Sequence, residues 1–450
     1  MGLFYFVKCG DNVDKPFEVK EFDTIICNED YKDDEKYKYL NQKEFDNLVA
    51  FIHKFTGDAD SADALDFMKI GYRRNVGEVI TIKNYVGLIQ LKNGFQIQVL
   101  PKIAFGEEDE ENVKTKRVFL KMLCSMKNFP SKVFNASSLN VAQMNLYELF
   151  INMYLQEVRQ LVKRGIKSNY VEQEDNLHYY KGKLLVSENV RVNLAHKEHF
   201  YVSYEEFHPN RAENRLIKAT LLKLQKLTTS AENSKEIRQL LTAFEMVDAS
   251  VNCTKDFSQV VINRNTKDYE VLMQWSKVFL MNKSFTTFSG STTSRALLFP
   301  MESIYESYVA QQMKKVMIPE GWDVSYQDRG YYLFIEPTRQ FALRPDIVMK
   351  KGERIVILDT KWKRLVNNEK INYGMSQADM YQMYAYSKKY GTSEIWLLYP
   401  VNDEMRNHKP IRFESGDGTT VNLYFIDVDK IEDSLRELKD RLEVGEKVKF

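Results

Sequence analysis

The sequence has few cysteines, almost no net charge and no long run of apolar residues. Its 450 residues include four cysteines, and 64 basic side chains nearly balance 63 acidic ones. The cysteines form no CxxC pair, which disfavours a zinc knuckle or a disulfide framework and is typical of reduced thiols. Because no run of about 20 apolar residues occurs, we expect no membrane span.

Two further absences narrow the possible functions. A formal net charge of +1 provides no global basic field, so contact with nucleic acid would depend on a local patch or a partner protein. The sequence contains no GxxxxGK[ST] loop, so we do not expect the chain to bind a nucleoside triphosphate by itself. The first apolar run, residues 3–7, is too short for a secretory signal, and we expect a cytoplasmic protein.

Length and patterning predict an α+β multidomain protein. A chain of this length exceeds what one core usually serves. Residues 1–106 are predicted to form a β-rich N-terminal domain suited to partner docking, with one helix at 44–55. Apolar and polar residues alternate over 78–100, and Asn93-Gly94 predicts a hairpin with a type I′ turn. A polar loop is expected at 58–66, and the acidic run 107–111 is interpreted as a linker.

Residues 113–290 are predicted to form a mostly helical middle domain with a β-like insertion. Helical spacing occurs over 118–126, 144–164 and 255–282, and a further helix is predicted to start near Glu213. His196 and His199 could be a metal pair, but no third ligand has suitable spacing and an exposed loop is favoured. Asn214 and Arg215 could brace the fold or touch a phosphate, and bracing is favoured. The Ser/Thr-rich residues 284–296 are interpreted as a loop between domains.

Residues 296–450 are predicted to form an α/β domain with a central mixed sheet. The expected order is a helix, three or four strands, a helix, further strands and a charged helix. The predicted elements are helices at 301–317, 376–388 and 431–442 and strands at 322–327, 331–336, 347–349, 355–358, 394–399 and 421–426.

The most informative stretch is residues 344–363, RPDIVMKKGERIVILDTKWK. Two apolar runs flank a glycine-containing turn, which predicts a hairpin with a buried second strand. Since side chains alternate along a strand, Asp359 and Lys361 share one face, and the hairpin brings Asp346 beside them. Two carboxylates and an ammonium at one sheet edge suit a hard divalent cation and a phosphate.

This arrangement resembles the PD-(D/E)xK nuclease motif, here Pro345-Asp346 followed by Asp359-Thr360-Lys361. The bare pattern is a weak signal, because a turn starting with Pro-Asp and a strand ending in solvated charges would produce it as well. Its context makes the signal stronger.

The C-terminal 150 residues resemble the nuclease domain of McrC, the endonuclease subunit of McrBC-type modification-dependent restriction systems. The matching segments are LLFPMESIYESYVA (297–310), LRPDIVM (343–349), ILDTKWK (357–363), SQADMYQMYAY (376–386), IWLLYP (395–400) and, upstream, residues 169–193 and 204–224. The resemblance extends from about residue 80 to the C-terminus, whereas the first 75 residues match nothing in the family. Several ordered motifs are more specific than the nuclease signature alone.

The resemblance implies a DNA endonuclease that uses Mg²⁺ or Mn²⁺. Asp346 and Asp359 would ligate the metal, and the backbone carbonyl of Thr360 is a further candidate ligand. Lys361 would position or deprotonate the attacking water and offset the charge on the phosphate. Glu306, which the match prefers over Glu302, would complete the metal surroundings.

Gln382 and Tyr386 match the Gln-hydrophobic-x-x-Tyr element of related nucleases and would orient the catalytic lysine or the DNA backbone. Gln377 and Tyr381 have the same spacing on the predicted helix. The family also implies a partner, a McrB-like AAA+ GTPase ring that recognises modified double-stranded DNA and translocates it.

Two other functions stay open. The chain could be a non-catalytic activator or scaffold of an NTPase ring, although the presence of all three core residues argues against an idle site. It could also be a stand-alone DNA-repair nuclease, although near neutrality disfavours autonomous DNA binding. Metal-dependent cutting in the presence of the partner would distinguish a nuclease from a non-catalytic activator. The DNA affinity of the isolated chain would distinguish a partner-dependent nuclease from a stand-alone one.

Overall fold

The computed structural model describes residues 16–57, 67–91, 93–103, 112–126, 129, 145–281, 295–406 and 408–447. The predicted polar loop at 58–66, the acidic linker at 107–111 and most of the Ser/Thr-rich connection lie outside these residues. Residues 144–295 belong to one compact unit, and residues 16–143 form a second unit together with 296–450. The division into three domains, at residues 1–106, 113–290 and 296–450, stays a prediction, because a compact unit is not the same as a segment that folds independently.

The protein is a mixed α+β protein with several sheets. Its strands are β1 Phe17–Lys20, β2 Thr24–Ile26, β3 Lys38–Tyr39, β4 Met68–Arg73, β5 Gly77–Ile82, β6 Tyr85–Gln90, β7 Gln96–Leu100, β8 Asn169–Leu177, β9 Lys183–Leu184, β10 Phe200–His208, β11 Arg295–Pro300, β12 Asp323–Tyr326, β13 Tyr332–Phe334, β14 Gln340–Ala342, β15 Ile347–Lys351, β16 Arg354–Thr360, β17 Glu394–Pro400, β18 Ile411–Glu414 and β19 Thr420–Ile426.

The helices are as follows: α1 Gln42–Gly57, α2 Val113–Leu123, α3 Leu146–Arg164, α4 Val186–Asn193, α5 Ala212–Leu227, α6 Ala231–Thr242, α7 Cys253–Gln259, α8 Glu270–Met281, α9 Met301–Met317, α10 Gln377–Tyr390 and α11 Ile431–Lys447. None of those within the described ranges is long and apolar enough to cross a membrane.

The unit of residues 144–295 is mostly helical, as predicted. Helices α3, α5, α6 and α8 pack together, and Trp275 stacks on Phe279 with ring centroids 5.5 Å apart. The β-like stretch is the three-stranded sheet β8-β10-β9, with α4 packed against β10. The middle segment therefore combines a helical core with a small antiparallel sheet.

Asn214 braces this unit, which supports the interpretation from sequence. Its side chain is fully buried and donates to the carbonyls of Lys167 (2.9 Å) and Pro209 (2.7 Å). It also accepts a 2.9 Å hydrogen bond from the Tyr269 hydroxyl. Arg215 forms an ion pair with Asp256. These polar groups are satisfied within the fold, which fits bracing better than contact with a phosphate.

The N-terminal strands of the other unit form two small sheets, ordered β3-β2-β5-β4 and β1-β7-β6-β11. The predicted hairpin joins β6 and β7, but its turn differs from type I′, since only Gly94 of the Asn93-Gly94 pair has a positive φ. Strand β11 was missed, because its first two residues were assigned to the loop. Gly87 lets β11 approach, since a Cβ there would lie 1.9 Å from the Leu297 carbonyl oxygen.

The large sheet has the order β12-β15-β16-β17-β19-β18. Strands β12, β15 and β16 are antiparallel, whereas β16, β17 and β19 are parallel, so the sheet is mixed as predicted. Helices α9 and α11 pack on each other and on this sheet, and α10 packs on β16 and β17. Strand β18 was missed, and the predicted strand at 331–336 instead belongs to a separate hairpin of β13 and β14.

Candidate active site

The hairpin of β15 and β16 brings Asp346 beside the end of β16. The antiparallel register pairs Ile347 with Leu358, which places Asp346, one residue earlier, next to Asp359 and Thr360. Asp346 Oδ2 accepts hydrogen bonds from Thr360 N at 2.7 Å and from Thr360 Oγ1 at 2.6 Å. The predicted proximity of the two halves of the motif is therefore confirmed, with Thr360 as the link.

Asp359 lies near the carboxyl end of the central strand β16, where burial is nearly complete. Strand β16 is buried on both faces at this end, and Asp359 is only 1% exposed. Its Oδ2 lies 2.5 Å from Lys361 Nζ, and this ion pair is the polar contact that the described residues provide for that oxygen. Backbone bonding to Leu398 of the neighbouring strand holds Lys361 in place. The acid and the amine thus share one face, as the period of two predicts.

Glu306 approaches the same cluster from helix α9. Its Oε1 accepts a 3.1 Å hydrogen bond from Gln327 Nε2, and its carboxyl group interacts with that of Asp346. Glu302, one turn earlier, is exposed and accepts instead from Asn84 at 3.2 Å. The geometry therefore agrees with the preference for Glu306 over Glu302.

Helix α10 contributes Gln382 and Tyr386. Lys361 Nζ lies 3.4 Å from Gln382 Oε1, and Gln382 Nε2 lies 2.7 Å from the Tyr386 hydroxyl. Tyr386 is buried, so its ring anchors this chain of hydrogen bonds in the core. The second pair, Gln377 and Tyr381, is joined by a 2.5 Å hydrogen bond, and Tyr381 is exposed.

The cluster concentrates negative charge in a poorly solvated place. Burial and then the charge of Asp346 raise the pKa of both Glu306 and Asp359 above the ordinary carboxyl range. Although burial opposes it, the pairing with Asp359 raises the pKa of Lys361 above its usual value. Carboxyl groups that repel one another in this way are stabilised by a cation in addition to Lys361, because one ammonium group does not balance three carboxylates.

The donor set fits a hard divalent cation, but not without side-chain movement. No three His, Cys, Asp or Glu side chains within the described ranges are grouped closely enough to hold a metal ion. Asp359 Oδ2 is paired with the Lys361 ammonium group, and Asp346 Oδ2 accepts a hydrogen bond from Thr360 N. Rotation of the lysine would expose a buried carboxylate oxygen to an incoming ion. Asp346, Asp359 and Glu306 are the residues that would hold it.

The raised pKa values predict how stability depends on pH. Burial raises the pKa of Glu306 to about 8, so its contribution to stability is fully present below the ordinary pKa of 4.5 and is lost as pH rises toward about 8. In metal-free buffer, the stability advantage of Glu306→Gln over the native sequence, measured as free energy of unfolding, should therefore increase by about 2 kcal/mol from pH 5 to pH 8. Urea unfolding at both pH values measures this gain. Glu302→Gln on the same helix is the control, and an equal gain there would contradict the prediction.

Several polar neighbours were not identified from sequence. Gln327 binds Glu306, Lys363 forms a 2.8 Å ion pair with Asp379, and the side chain of Thr360 holds Asp346. Of these, only Lys363 had a sequence signal, since it has the same alternation as Asp359 and Lys361. His196 and His199 lie between α4 and β10 with their imidazole centroids 6.1 Å apart, and the His196 side chain is exposed.

These features define a mixed α/β domain with three acidic side chains and one lysine at the carboxyl end of a central strand. Residues 80–400 match the family described as McrBC 5-methylcytosine restriction system component. Because this match covers more than half of the chain, the protein belongs to that family. The resemblance found in the sequence is thereby confirmed.

Two solved structures are similar to this chain, and the first of them supports the fold described above. One similar chain comes from the half-complex of the tetradecameric assembly of Thermococcus gammatolerans McrB AAA+ hexamers with bound McrC. It matches over 95% of this chain and 100% of its own length, with a TM-score of 0.69 and 19% identity. A chain of the T. gammatolerans McrBC complex matches over 67% of this chain and 88% of its own, with a TM-score of 0.46 and 20% identity. No curated protein matches the sequence.

Proposed function

We propose that this chain is the metal-dependent DNA endonuclease component of a McrBC-type restriction system, with a nuclease domain of the PD-(D/E)xK type. The observation that carries the proposal is the convergence of Asp346, Asp359 and Lys361 at the end of β16, with Glu306 beside them. Family membership supports a role in restriction. The residues support hydrolysis of a phosphodiester bond, since they combine cation ligands with a fixed ammonium group.

Each residue has a distinct role in this proposal. A bound Mg²⁺ or Mn²⁺ ion would polarise the phosphate and lower the pKa of a coordinated water. Thr360 holds Asp346 in place through two hydrogen bonds to Oδ2 of its carboxylate. Lys361 orients the attacking water and offsets the charge that develops on the phosphate. Gln382, anchored by Tyr386, holds the lysine in position.

The proposed partner is a McrB-like AAA+ GTPase ring. The similar Thermococcus chain comes from an assembly of McrB AAA+ hexamers with bound McrC, and the similarity spans that chain completely. The sequence of this protein lacks a GxxxxGK[ST] loop and has a formal net charge of +1. The ring would therefore supply the energy for translocation and would recognise the modified double-stranded DNA. Both proteins would act in the cytoplasm.

The proposal is tested with the full chain, the McrB-like protein, GTP and methylated DNA. Cleavage is expected with Mg²⁺ or Mn²⁺ and should stop when EDTA is added. If GTP hydrolysis is stimulated while the DNA stays intact at every metal concentration, the chain is an activator of the ring and not a nuclease. Cleavage by the chain alone at physiological salt would favour a stand-alone repair nuclease.

Gln382 offers a graded test of how Lys361 is positioned. Gln382→Ala removes the amide oxygen that lies 3.4 Å from the Lys361 ammonium nitrogen, so we expect the cleavage rate at saturating metal to fall about 10-fold to 100-fold. Gln377→Ala breaks an equivalent Gln–Tyr pair on the same helix but leaves Lys361 untouched. It should cut DNA at the normal rate, and equal losses in the two variants would refute this role for Gln382.

A further inference from the structure

A buried carboxyl group of the N-terminal strands contacts the residue next to the catalytic lysine. Glu21 directly follows β1 and is fully buried. Its oxygens lie 3.1 and 3.0 Å from the indole Nε1 of Trp362, which donates to them, although 341 positions separate the two residues. Lys102 N donates to Glu21 Oε2 at 3.1 Å. Trp362 is thus held from outside the sheet that carries the proposed site.

Burying this acid is unfavourable for stability, which calls for an explanation. Burial raises the pKa of Glu21 to about 8, despite the hydrogen bonds from Lys102 and Trp362, and Glu302 adds a repulsive charge. An apolar residue would fill the same space without this desolvation cost. What an apolar residue lacks is an acceptor for the indole N–H, and such an acceptor fixes the position of the ring.

The ring position matters because of the residues on each side. Strand β16 ends at Thr360, so Lys361 and Trp362 lie just beyond the regular ladder, where fewer backbone bonds hold the chain. The Trp362 ring also packs on the Tyr305 ring of α9, with centroids 5.2 Å apart. Tyr305 precedes Glu306 in that helix. The indole ring of Trp362 therefore connects two parts of the site. It belongs to the segment that carries Lys361, and it contacts the helix that carries Glu306.

We propose that Glu21 is a positioning residue which, by binding the Trp362 indole, aligns Lys361 with Glu306 for DNA cleavage. The inference rests on the proposed nuclease function and adds a residue from the N-terminal region to it. Glu21 reaches neither the metal ligands nor the DNA in this scheme. Its effect passes through the Trp362 ring to the backbone of Lys361 and, through Tyr305, to α9.

The chain contains a matched control for this contact. Trp396 Nε1 donates to Glu394 Oε1 at 3.2 Å, and this pair lies at the start of β17, the end of the large sheet away from Lys361. Trp396, like Trp362, is less than a tenth exposed. Trp362→Phe and Trp396→Phe each remove one indole N–H from a carboxylate. A purely structural role predicts similar effects for both, whereas a positioning role does not.

The test compares these two variants with Asp359→Asn in the full chain assembled with its GTPase partner. Trp362→Phe should lower the maximal cleavage rate at least about tenfold at saturating metal, while Trp396→Phe keeps the normal rate and loses similar thermal stability. In the unassembled chain, backbone amides of residues 360–364 should exchange hydrogen faster in Trp362→Phe only. Glu21→Gln, which keeps an acceptor oxygen, should retain most of the activity that Glu21→Leu loses.

The outcomes separate two kinds of failure. If Asp359→Asn abolishes cleavage but Trp362→Phe cuts as fast as Trp396→Phe, Glu21 and Trp362 serve packing only and the inference is wrong. Unchanged amide exchange at 360–364 in Trp362→Phe overturns it as well, whether or not DNA is cut. If Asp359→Asn cleaves at the normal rate, the nuclease assignment itself is wrong.

Discussion

Asp359→Asn and Lys361→Ala should each reduce the rate of DNA cleavage by about a thousandfold or more. Asp359 is the most buried carboxyl of the cluster, and the charge of Lys361 lies 2.5 Å from it. Removing either residue eliminates a cation ligand or the charge that opposes the phosphate, and both effects act mainly on the transition state. Single-turnover cleavage by the assembled complex measures the loss. Folding and partner binding should be preserved.

A second Asp–Lys pair of the same domain provides the control. Asp417 and Lys388 also approach to 2.5 Å, but they lie on the surface, with side chains 36% and 47% exposed. Asp417→Asn and Lys388→Ala should leave cleavage unchanged, since exposed ion pairs contribute little. If Asp359→Asn or Lys361→Ala cuts DNA as fast as these controls, the assignment of the site is refuted.

The largest effect on stability is expected from Glu148→Ala in the unit of residues 144–295. Glu148 is 4% exposed and accepts hydrogen bonds from the Thr228 hydroxyl (2.6 Å), Thr229 N (2.7 Å) and Asn233 Nδ2 (2.8 Å). The variant leaves these buried donors without their acceptor, so the free energy of unfolding should fall by about 3–4 kcal/mol. Hydrogen exchange of amides in α3 and α6 measures the loss within this unit.

Glu232→Ala is the appropriate control, because Glu232 is an exposed acid in the first turn of α6. Its loss should change the free energy of unfolding, as measured by hydrogen exchange, by less than about 1 kcal/mol. Comparable losses in both variants would mean that the Glu148 network does not stabilise this unit more than a surface charge does.

Local pattern was sufficient to predict the core of the site. The alternation in residues 355–361 determines which side chains share a face, and the glycine-containing turn determines the pairing with Asp346. Both signals lie within 20 residues of one another, so the hairpin could be derived without knowledge of the rest of the fold. The helical spacing of 376–388 likewise predicted that Gln382 and Tyr386 lie on one face of α10.

Contacts between distant segments could not be predicted in this way. Strand β11 pairs with β6 across about 200 residues, and its first residues resemble a polar connection. Strand β18 is only four residues long and follows a turn-rich stretch, so its alternation is too short to recognise. The hydrogen bond between Trp362 and Glu21 could not be predicted either, because no local pattern connects Glu21 to a tryptophan near residue 360.

The sheet β1-β7-β6-β11 has a consequence for biosynthesis. During translation, β6 and β7 leave the ribosome about 200 residues before β11, which at roughly 5–20 residues per second is a delay of about 10–40 s. Until β11 is made, one edge of β6 has no neighbour, and Glu21 obtains its indole partner later still, when Trp362 is made. The nascent chain must keep this edge from pairing with other chains, because a sheet begun by the N-terminal strands is completed only by a strand that lies two thirds of the way along the chain.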